Sequence, residues 1–476
     1  MYDVIIVGAG VIGGMVAREL SKYRASVCLL EKENDVACGA SKANSGIIHG
    51  GFDPEPHTLK AEMNVKGVPL LYEAAEQLHV PYKQNGSMVC AFGEAEEAHI
   101  EELYARGIQN GVRDMEILSG DQARALEPQL SPDISKVLRI KNAGIICPYF
   151  LTIAAVGNAM DNGVTLLRNF TVAQITKSGN NFTVTSDNGK AVEGRYVVNC
   201  AGAYADRIAA MAGDGFFKII PRAGEYMLLD KNEGRLVSHT IFQVPGASGK
   251  GILVSPTADG NLLIGPTAQP VADPTRTETT PAGLSVVETL SKKSVPAVDT
   301  RTVITSFSGV RASVAGGDFI IRMSERVTGL LHLAAIDSPG LSSCVAIARR
   351  ALDILSENGL ILVENPTFCG ERADTHAFRR MTTAEKNAYI RRHPDFGRIV
   401  CRCETVSEGE IRDAIRRNPR PADVDGVKRR TRAGMGRCQG GFCLPHVMRL
   451  LAEENNLPMT AITKKGAGSE PVIGKL

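Results

Sequence analysis

The sequence lacks several features that mark large classes of protein. Across its 476 residues no segment approaches the ~18 uninterrupted apolar residues of a membrane-spanning helix. The formal net charge is only +2, so composition gives no reason to expect a nucleic-acid partner. We find neither an internal repeat nor a low-complexity tract, which leaves ordinary globular domains, roughly three at this length.

The amino terminus also lacks a secretion signal, and the cysteines lack the pattern of a disulfide framework. The opening segment is apolar but has no basic leader and no cleavage site, so we expect a cytoplasmic protein. The chain has 11 cysteines, an odd number. In a reducing compartment they are expected to act as thiols or metal ligands.

Three glycines follow the first predicted strand. Residues 4–7 have the apolar, β-branched composition of a buried parallel strand, and helical spacing follows. Between them Gly8, Gly10 and Gly13 have GxGxxG spacing. These glycines would allow a tight turn, the approach of a pyrophosphate to the backbone, and close packing of helix on strand.

A second predicted strand, residues 27–30, ends at Glu31. This carboxylate would accept hydrogen bonds from the ribose hydroxyls of an adenosine. Strand, glycine turn, helix, strand and terminal acid within about thirty residues predict a dinucleotide site rather than a purely structural glycine turn.

The chain continues GASKANSGIIHGGFDPEPHTLKAEMNVKG, which resembles the flavin-binding stretch of the glycine oxidase and D-amino-acid oxidase superfamily of FAD-dependent oxidoreductases. The segments VVNCAGAYAD, FSGVRAS and GLLHLAAIDSPGLSSCVAIARRAL are similar to later motifs of that superfamily. The resemblance implies an FAD cofactor. Its further contacts would be Ser41, Asn44, Ser45, Gly46, Ile47, Val172, Ala201, Gly202, Gly340, Leu341 and Ser342.

The same resemblance implies an α/β fold with a Rossmann-like FAD-binding domain of discontinuous segments, a sheet-based substrate domain, and a small C-terminal, mainly helical iron–sulfur domain. The expected FAD-binding segments are 1–84, 145–217 and 306–364, and the substrate-domain segments are 85–144 and 218–305. A connecting arm at 365–395, the cluster domain at 396–460 and a tail at 461–476 complete the division.

Four cysteines stand in two tight pairs near the end of the chain. Cys401 and Cys403 form a CxC motif, and after 34 residues Cys438 and Cys443 form CxxxxC. Four thiolates brought together bind either a tetrahedral zinc ion or a [2Fe-2S] cluster, and their number does not distinguish the two. A helix with a capping box is predicted to begin after Ser407.

The stretch KRRTRAGMGRCQGGFC resembles the bacterioferritin-associated ferredoxins and the carboxy-terminal region of anaerobic glycerol-3-phosphate dehydrogenases, with CxxxxC in place of the CxxC of the free ferredoxins. This resemblance implies a [2Fe-2S] cluster. Residues 379–437 carry 16 Lys and Arg against 8 Asp and Glu. These cations would stabilise an anionic cluster, form a solvated basic face, or pair with an acidic partner protein.

A flavin accepts two electrons as a hydride, whereas a [2Fe-2S] cluster passes one at a time, so the combination predicts a dehydrogenase with an electron-accepting partner protein. No second GxGxxG unit is evident for NAD. Any membrane attachment would come through the partner.

The candidates for the catalytic base are His49 and, with weaker support, His57. The alternative for each is a structural histidine. Arg311 is the candidate for binding an anionic substrate group, with a surface salt bridge as the alternative. Lys250 could assist, but a lysine exposed to solvent is the preferred interpretation.

The substrate is predicted to be a small anion. An FAD domain joined to this cluster module favours sn-glycerol 3-phosphate, oxidised to dihydroxyacetone phosphate. However, SPGLSSCVAIA stands where that family carries a phosphate-binding GGKxxTYR pattern, and it is more similar to L-2-hydroxyglutarate dehydrogenases. An L-2-hydroxy acid is therefore the second candidate. An amino-acid or opine dehydrogenase, or an electron-transfer subunit, is the third.

Overall fold

The chain builds two large β-sheets and a small helical module at its carboxy-terminal end. The computed structural model describes residues 1–245 and 251–474. The strands are β1 (Tyr2–Val7), β2 (Val27–Leu30), β3 (Ile47–Ile48), β4 (Tyr82–Lys83), β5 (Ser87–Ala91), β6 (Met115–Ser119), β7 (Lys136–Ile140), β8 (Gly144–Ile146), β9 (Thr165–Leu167), β10 (Val172–Ser178), β11 (Asn181–Ser186), β12 (Ala191–Asn199), β13 (Ile219–Leu229), β14 (Thr240–Gln243), β15 (Leu253–Pro256), β16 (Leu262–Gly265), β17 (Gln269–Pro270), β18 (Val303–Val314), β19 (Ile320–Met323), β20 (Leu330–Ala334), β21 (Ile399–Cys401) and β22 (Val406–Ser407).

Helices cover the sheets and form most of the module. They are α1 (Val11–Leu20), α2 (Leu59–Gln77), α3 (Glu94–Gln109), α4 (Gly120–Leu126), α5 (Pro148–Asp161), α6 (Ala205–Met211), α7 (Pro281–Ser294), α8 (Gly340–Glu357), α9 (Ala377–Arg380), α10 (Thr383–Arg392), α11 (Glu408–Arg416), α12 (Val424–Thr431) and α13 (Leu444–Asn455). In the part of the chain that is described, no helix combines the length and the apolar character needed to cross a bilayer.

The first large sheet contains the predicted dinucleotide unit. Its central strands run in the order β10-β11-β12-β1-β2-β9, and β1 is parallel to both β2 and β12. The apolar residues of β1 and β2 are buried, as their β-branched and aliphatic composition predicts. Helices α1, α5 and α8 contribute to the same core. The predicted Rossmann-like FAD-binding architecture is confirmed.

The second large sheet contains the strands predicted for the substrate domain. Its order is β17-β13-β16-β15-β14-β5-β7-β6, with β18 paired to β13. The sequence division assigned residues 306–314 to the FAD-binding segments, whereas they belong to β18 and pair with β13. This antiparallel register runs from Ile219 opposite Val314 to Leu229 opposite Val303. Such a long ladder satisfies the backbone groups of both strands, and hydrogen bonding thus places β18 in this sheet.

The carboxy-terminal module has its own small core. It consists of the β21–β22 hairpin and helices α11 to α13, which pack around Val406, Ile411, Val427 and Leu451. The predicted capping box is present, because Ser407 Oγ accepts from Glu410 N and the Glu410 carboxylate accepts from Ser407 N. This local signal fixes where α11 begins.

Candidate active site and metal centre

A cavity of about 1420 Å³ is lined by residues from both large sheets. The predicted residues that line it are Gly8, Gly10, Glu31, Ser41, Asn44, Ser45, Gly46, Ile47, His49, Val172, Ala201, Gly202, Arg311, Gly340 and Leu341. The chain thus brings together positions that lie hundreds of residues apart in the sequence. Gly13, Ser342 and His57 were also predicted, but they do not line this cavity.

The glycine turn has the geometry that a diphosphate requires. Gly8 has φ +107°, in the region that favours glycine. A Cβ at Gly13 would stand 1.9 Å from the Gly8 carbonyl oxygen, so Gly13 acts through close packing of α1 on β1. Ser41 Oγ accepts a hydrogen bond from Val11 N at 2.9 Å, and it so satisfies a backbone N–H in the first turn of α1. The turn and this helix terminus fit the diphosphate of FAD.

Glu31 lies at the end of β2, where an adenosine ribose would bind. One carboxylate oxygen accepts from Ala9 N at 2.9 Å, and the other accepts from Glu33 N at 3.0 Å. Burial raises the pKa of this carboxyl, and the two backbone donors oppose the shift. Because each oxygen can accept more than one hydrogen bond, Glu31 can also accept from ribose hydroxyls.

His49 is held in the cavity wall from several directions. Its backbone N–H donates to Ser342 Oγ at 2.8 Å, and its carbonyl accepts from Asn64 Nδ2 at 2.8 Å. Ser342 is fully buried and also donates to the Ile47 carbonyl, so it supports the wall without facing the cavity. Ser338 Oγ lies 3.2 Å from His49 Nε2. The imidazole is therefore positioned for proton transfer at the cavity surface.

The structure does not bring His57 to the cavity that His49 lines. His57 lies in an exposed turn before α2 with φ +67° and does not line the cavity. Substrate-domain side chains hold the segment just before it. Arg106 donates to the Asp53 carbonyl at 3.0 Å, and Asn110 donates to the Pro54 carbonyl at 2.8 Å. These contacts hold the backbone at residues 53 and 54, between His49 and His57, against α3 and the residue that follows it.

Arg311 lies on β18 and lines the cavity. Nη1 donates to the Thr267 carbonyl at 3.2 Å. Arg222 stands directly opposite on β13 and also lines the cavity. Neither guanidinium forms an ion pair with a carboxylate in residues 1–245 or 251–474. Lys250 lies outside the described residues.

Arg222 is a site residue that the sequence interpretation missed, as is Tyr226. Both are on β13 and have the same parity along the strand, so they share a face. Tyr226 stacks on Phe307 of β18 with ring centroids 4.8 Å apart, and its hydroxyl is 3.4 Å from Ser45 Oγ. The alternation of residues along β13 could have shown that Arg222 and Tyr226 share a face. It could not have shown which residues of β18 lie opposite them.

The four predicted metal-ligating cysteines meet as two thiol pairs. Cys403 Sγ and Cys438 Sγ are 3.6 Å apart, and the Cys443 thiol donates to Cys401. Electrostatic interaction links the two pairs. The pair formed by Cys401 and Cys443 is buried, whereas Cys403 is exposed. The module therefore has an inner and an outer pair.

In each pair one thiol has a lowered pKa, Cys401 or Cys438, and the other has a raised pKa, Cys443 or Cys403. The donated hydrogen bond from Cys443 lowers the pKa of Cys401 to about 6, and the same bond raises the pKa of Cys443. A Cβ at Gly436 would stand 2.3 Å from Cys403 Cβ, so the absent side chain allows the two loops to meet. Thiolates are the ligand form that both zinc and iron require.

The paired arrangement fits a two-iron centre better than one zinc ion. A tetrahedral zinc site needs four thiolates at about 2.3 Å from one ion. A [2Fe-2S] centre also takes four cysteines, and its two irons allow them to stand as separate pairs.

Arg432, in the basic stretch of the module, connects the module to the rest of the chain. Arg432 is buried and donates to Glu404 at 2.8 Å, to Asp259 at 2.6 Å and to Asn261 at 3.0 Å. Its Nη1 also lies 3.2 Å from the Tyr149 hydroxyl at the start of α5. One side chain thus joins the loop beside Cys403 to the substrate domain and to the FAD-binding domain.

A second connection involves Asp35, which is fully buried. Arg430 donates to both of its carboxylate oxygens at 2.8 Å, and Arg429 donates at 2.6 Å. Burial would raise the pKa of Asp35, but the two guanidiniums outweigh burial and hold this pKa well below its ordinary value. Both arginines are buried and form interdomain ion pairs, so they are not part of a solvated basic face.

Comparison with known protein families divides the chain in the same way. Residues 3–354 match the family described as FAD dependent oxidoreductase, and residues 399–453 match the BFD-like [2Fe-2S] binding domain. The two matched segments correspond to the pair of sheets with the cavity and to the cysteine module.

Individual relatives cover different parts of the chain. A glycerol 3-phosphate dehydrogenase of Caloramator mitchellensis is 44% identical over 100% of this chain and 98% of its own length. The dithionite-reduced, FAD-bound L-alpha-glycerophosphate oxidase structure from Mycoplasma pneumoniae superposes with TM-score 0.74 at 34% identity, covering 78% of this chain and 98% of that one. The mitochondrial L-2-hydroxyglutarate dehydrogenase of Bos taurus is 32% identical over 56% of this chain and 61% of its own.

Proposed function

The chain belongs to the family of FAD-dependent oxidoreductases, and from that premise we propose that it is a dehydrogenase that oxidises sn-glycerol 3-phosphate to dihydroxyacetone phosphate. One observation carries the choice of substrate. The glycerol 3-phosphate dehydrogenase relative matches the whole chain, cysteine module included, at 44% identity. The L-2-hydroxyglutarate relative covers 56% of it.

Bound FAD supplies a two-electron hydride acceptor, and a bound [2Fe-2S] centre supplies a one-electron relay. The residues of the chain bind the substrate and handle its proton. Arg311, with Arg222 opposite, binds the phosphate through charge-assisted hydrogen bonds. His49 accepts the proton of the reacting hydroxyl, and Ser338 orients its ring.

Cys401, Cys403, Cys438 and Cys443 would hold the cluster. The outer pair, Cys403 and Cys438, marks the end from which electrons leave. Phe442, between the two cysteines of the CxxxxC motif, is 83% exposed, and Arg402 and Arg437 are exposed beside it. An apolar centre with basic neighbours suits an electron-accepting protein with an acidic surface.

L-2-hydroxyglutarate remains the second candidate substrate, because two opposed guanidiniums could each bind one carboxylate of a dicarboxylic acid. The deciding experiment is anaerobic addition of each compound to purified protein, with the visible absorbance of the flavin as readout. We expect glycerol 3-phosphate to bleach the flavin, and L-2-hydroxyglutarate to leave it oxidised at the same concentration.

The reverse result would replace the proposed substrate with the hydroxy acid. If neither compound, nor an amino acid or opine, bleaches the flavin but a reduced partner protein does, the chain is an electron-transfer subunit. Iron and inorganic sulfide analysis of the same preparation tests the cluster, and stoichiometric zinc would contradict the electron exit. An Arg311→Ala variant that retains FAD and wild-type substrate affinity would contradict the phosphate site.

A further inference from the structure

We propose that the cysteine module completes the FAD site, with Arg429 donating hydrogen bonds to the FAD diphosphate and Lys465 donating to the same bound cofactor. Both side chains line the cavity, although they lie beyond residues 3–354, the part that matches the FAD-dependent oxidoreductase family. Asp423 and Asp425 of the module line it as well. The proposal rests on the FAD cofactor of the proposed function and is independent of which substrate is oxidised.

Arg429 reaches the cavity at the glycine turn. Ala37 N donates to the Ala9 carbonyl at 3.1 Å, which holds the loop after β2 against the turn that would bind the diphosphate. Cys38, the next residue, lines the cavity. Asp35, at the start of the same loop, accepts from Arg429 Nη2 at 2.6 Å. The guanidinium is therefore anchored beside the place where the diphosphate would lie.

The Arg429 guanidinium has donors to spare. It is only 8% exposed, and its Nε is buried with no hydrogen-bond partner among the described residues. Its Nη1 also forms no hydrogen bond within the described residues and, unlike Nε, is not fully buried, so it can donate to a ligand in the cavity. A phosphate oxygen is the acceptor that a guanidinium binds most strongly.

Lys465 comes from the segment that the sequence interpretation left as a tail. Val424 N donates to the Thr463 carbonyl at 3.1 Å, and Asp425 N donates to the Lys464 carbonyl at 3.0 Å. These bonds fix the tail on the first turn of α12. Lys464 pairs with Asp425 at 3.2 Å, whereas Lys465 forms no ion pair within the described ranges. Its ammonium is thus available to a ligand in the cavity.

The module would add to FAD binding without being its main source. The Mycoplasma pneumoniae oxidase structure has FAD bound. The match covers 98% of that chain but 78% of the present one. The shared fold therefore binds FAD by itself. In the present chain the two additional cations would slow the release of FAD, so that docking of the module and retention of the flavin are coupled.

The test measures FAD release from the holoprotein by the rise in flavin fluorescence after dilution, with no substrate present. Lys465→Met and Arg429→Gln are each expected to release FAD about tenfold faster, as loss of one charge-assisted hydrogen bond predicts. Arg392→Gln is the control, because Arg392 is exposed on α10 and does not line the cavity. Its release rate should equal that of the wild type.

Release at the wild-type rate from both variants would overturn the inference. Lys465 is exposed, so its substitution does not endanger folding, and the Lys465→Met result decides the question even if Arg429→Gln fails to fold. The proposed function fails in a different way: the wild-type protein would bind no FAD, or its bound FAD would not respond to glycerol 3-phosphate.

Discussion

Arg222 and Arg311 stand directly opposite each other on the antiparallel strands β13 and β18, and both side chains line the cavity. Like charges in opposed positions are unfavourable on their own. A dianionic ligand would offset this repulsion, whereas a monocarboxylate would neutralise only one of the two charges. This relationship favours a phosphate or a dicarboxylic acid over a monocarboxylic acid as the substrate anion.

Arg222→Gln is therefore expected to raise the KM for glycerol 3-phosphate about tenfold, because one charge-assisted contact to the dianion is lost. FAD content and kcat at saturating substrate should change little. Steady-state kinetics with an artificial acceptor provides the measurement. Arg235→Gln is the control, since Arg235 is an exposed substrate-domain residue that does not line the cavity. An unchanged KM in Arg222→Gln would remove this arginine from the substrate site.

His49→Asn is expected to lower kcat by about 10²–10⁴, the usual range for loss of a general base, while FAD remains bound. Ser338→Ala should produce a smaller loss, because Ser338 only orients the imidazole. His57→Asn is the matched control, and its kcat should equal that of the wild type because His57 is exposed and does not line the cavity. A larger loss in His57→Asn than in His49→Asn would reverse the assignment.

Local signals in the sequence predict much of the site, and long-range contacts supply the rest. The glycine turn, Glu31 and the capping box at Ser407 each follow from residues within one short unit. The contact between Arg429 and Asp35 spans 394 positions and depends on how the module docks, which no local pattern encodes. Arg222 was missed for a similar reason, because its role depends on the register between β13 and β18.

Each single Cys→Ser variant at Cys401, Cys403, Cys438 or Cys443 is expected to lose or strongly perturb the visible spectrum of the cluster, because a two-iron centre needs all four thiolates. The wild type should contain about two irons and two inorganic sulfides per chain. Cys369→Ser serves as control, since Cys369 is an exposed thiol of the connecting arm. A variant of one of the four that retains the wild-type spectrum would exclude that residue as a ligand.

Gly67→Ala is expected to reduce the free energy of unfolding by about 1–3 kcal/mol, as overpacking does elsewhere. An added Cβ would stand 2.4 Å from the Ser342 carbonyl oxygen and 2.8 Å from Ser343 Cα, so α2 and α8 would have to separate. Since Ser342 holds the backbone of His49, kcat should fall as well. Gly215→Ala is the control, because its nearest neighbour would be at an ordinary 3.5 Å. Equal stabilities of the two variants in urea would contradict the packing argument.

Asp35→Asn is expected to cost about 3–5 kcal/mol of the free energy of unfolding at neutral pH, because it leaves two buried guanidiniums without their carboxylate. Asp121→Asn breaks an Asp–Arg pair whose carboxylate is 93% exposed, and this control should cost at most about 1 kcal/mol. Chemical denaturation of the three proteins provides the comparison.

The same carboxylate predicts how this difference depends on pH. The folded-state pKa of Asp35 is depressed below the value of about 3.9 expected in the unfolded chain, so its ion pairs stabilise the protein fully above that value. As pH falls below about 4, the unfolded chain takes up the proton first, and the stabilisation is progressively lost. The gap between wild type and Asp35→Asn should thus be constant from pH 7 to about 5 and shrink below about 4. A gap that widens on acidification would show that Asp35 is protonated in the folded protein, and that the arginines dock without its charge.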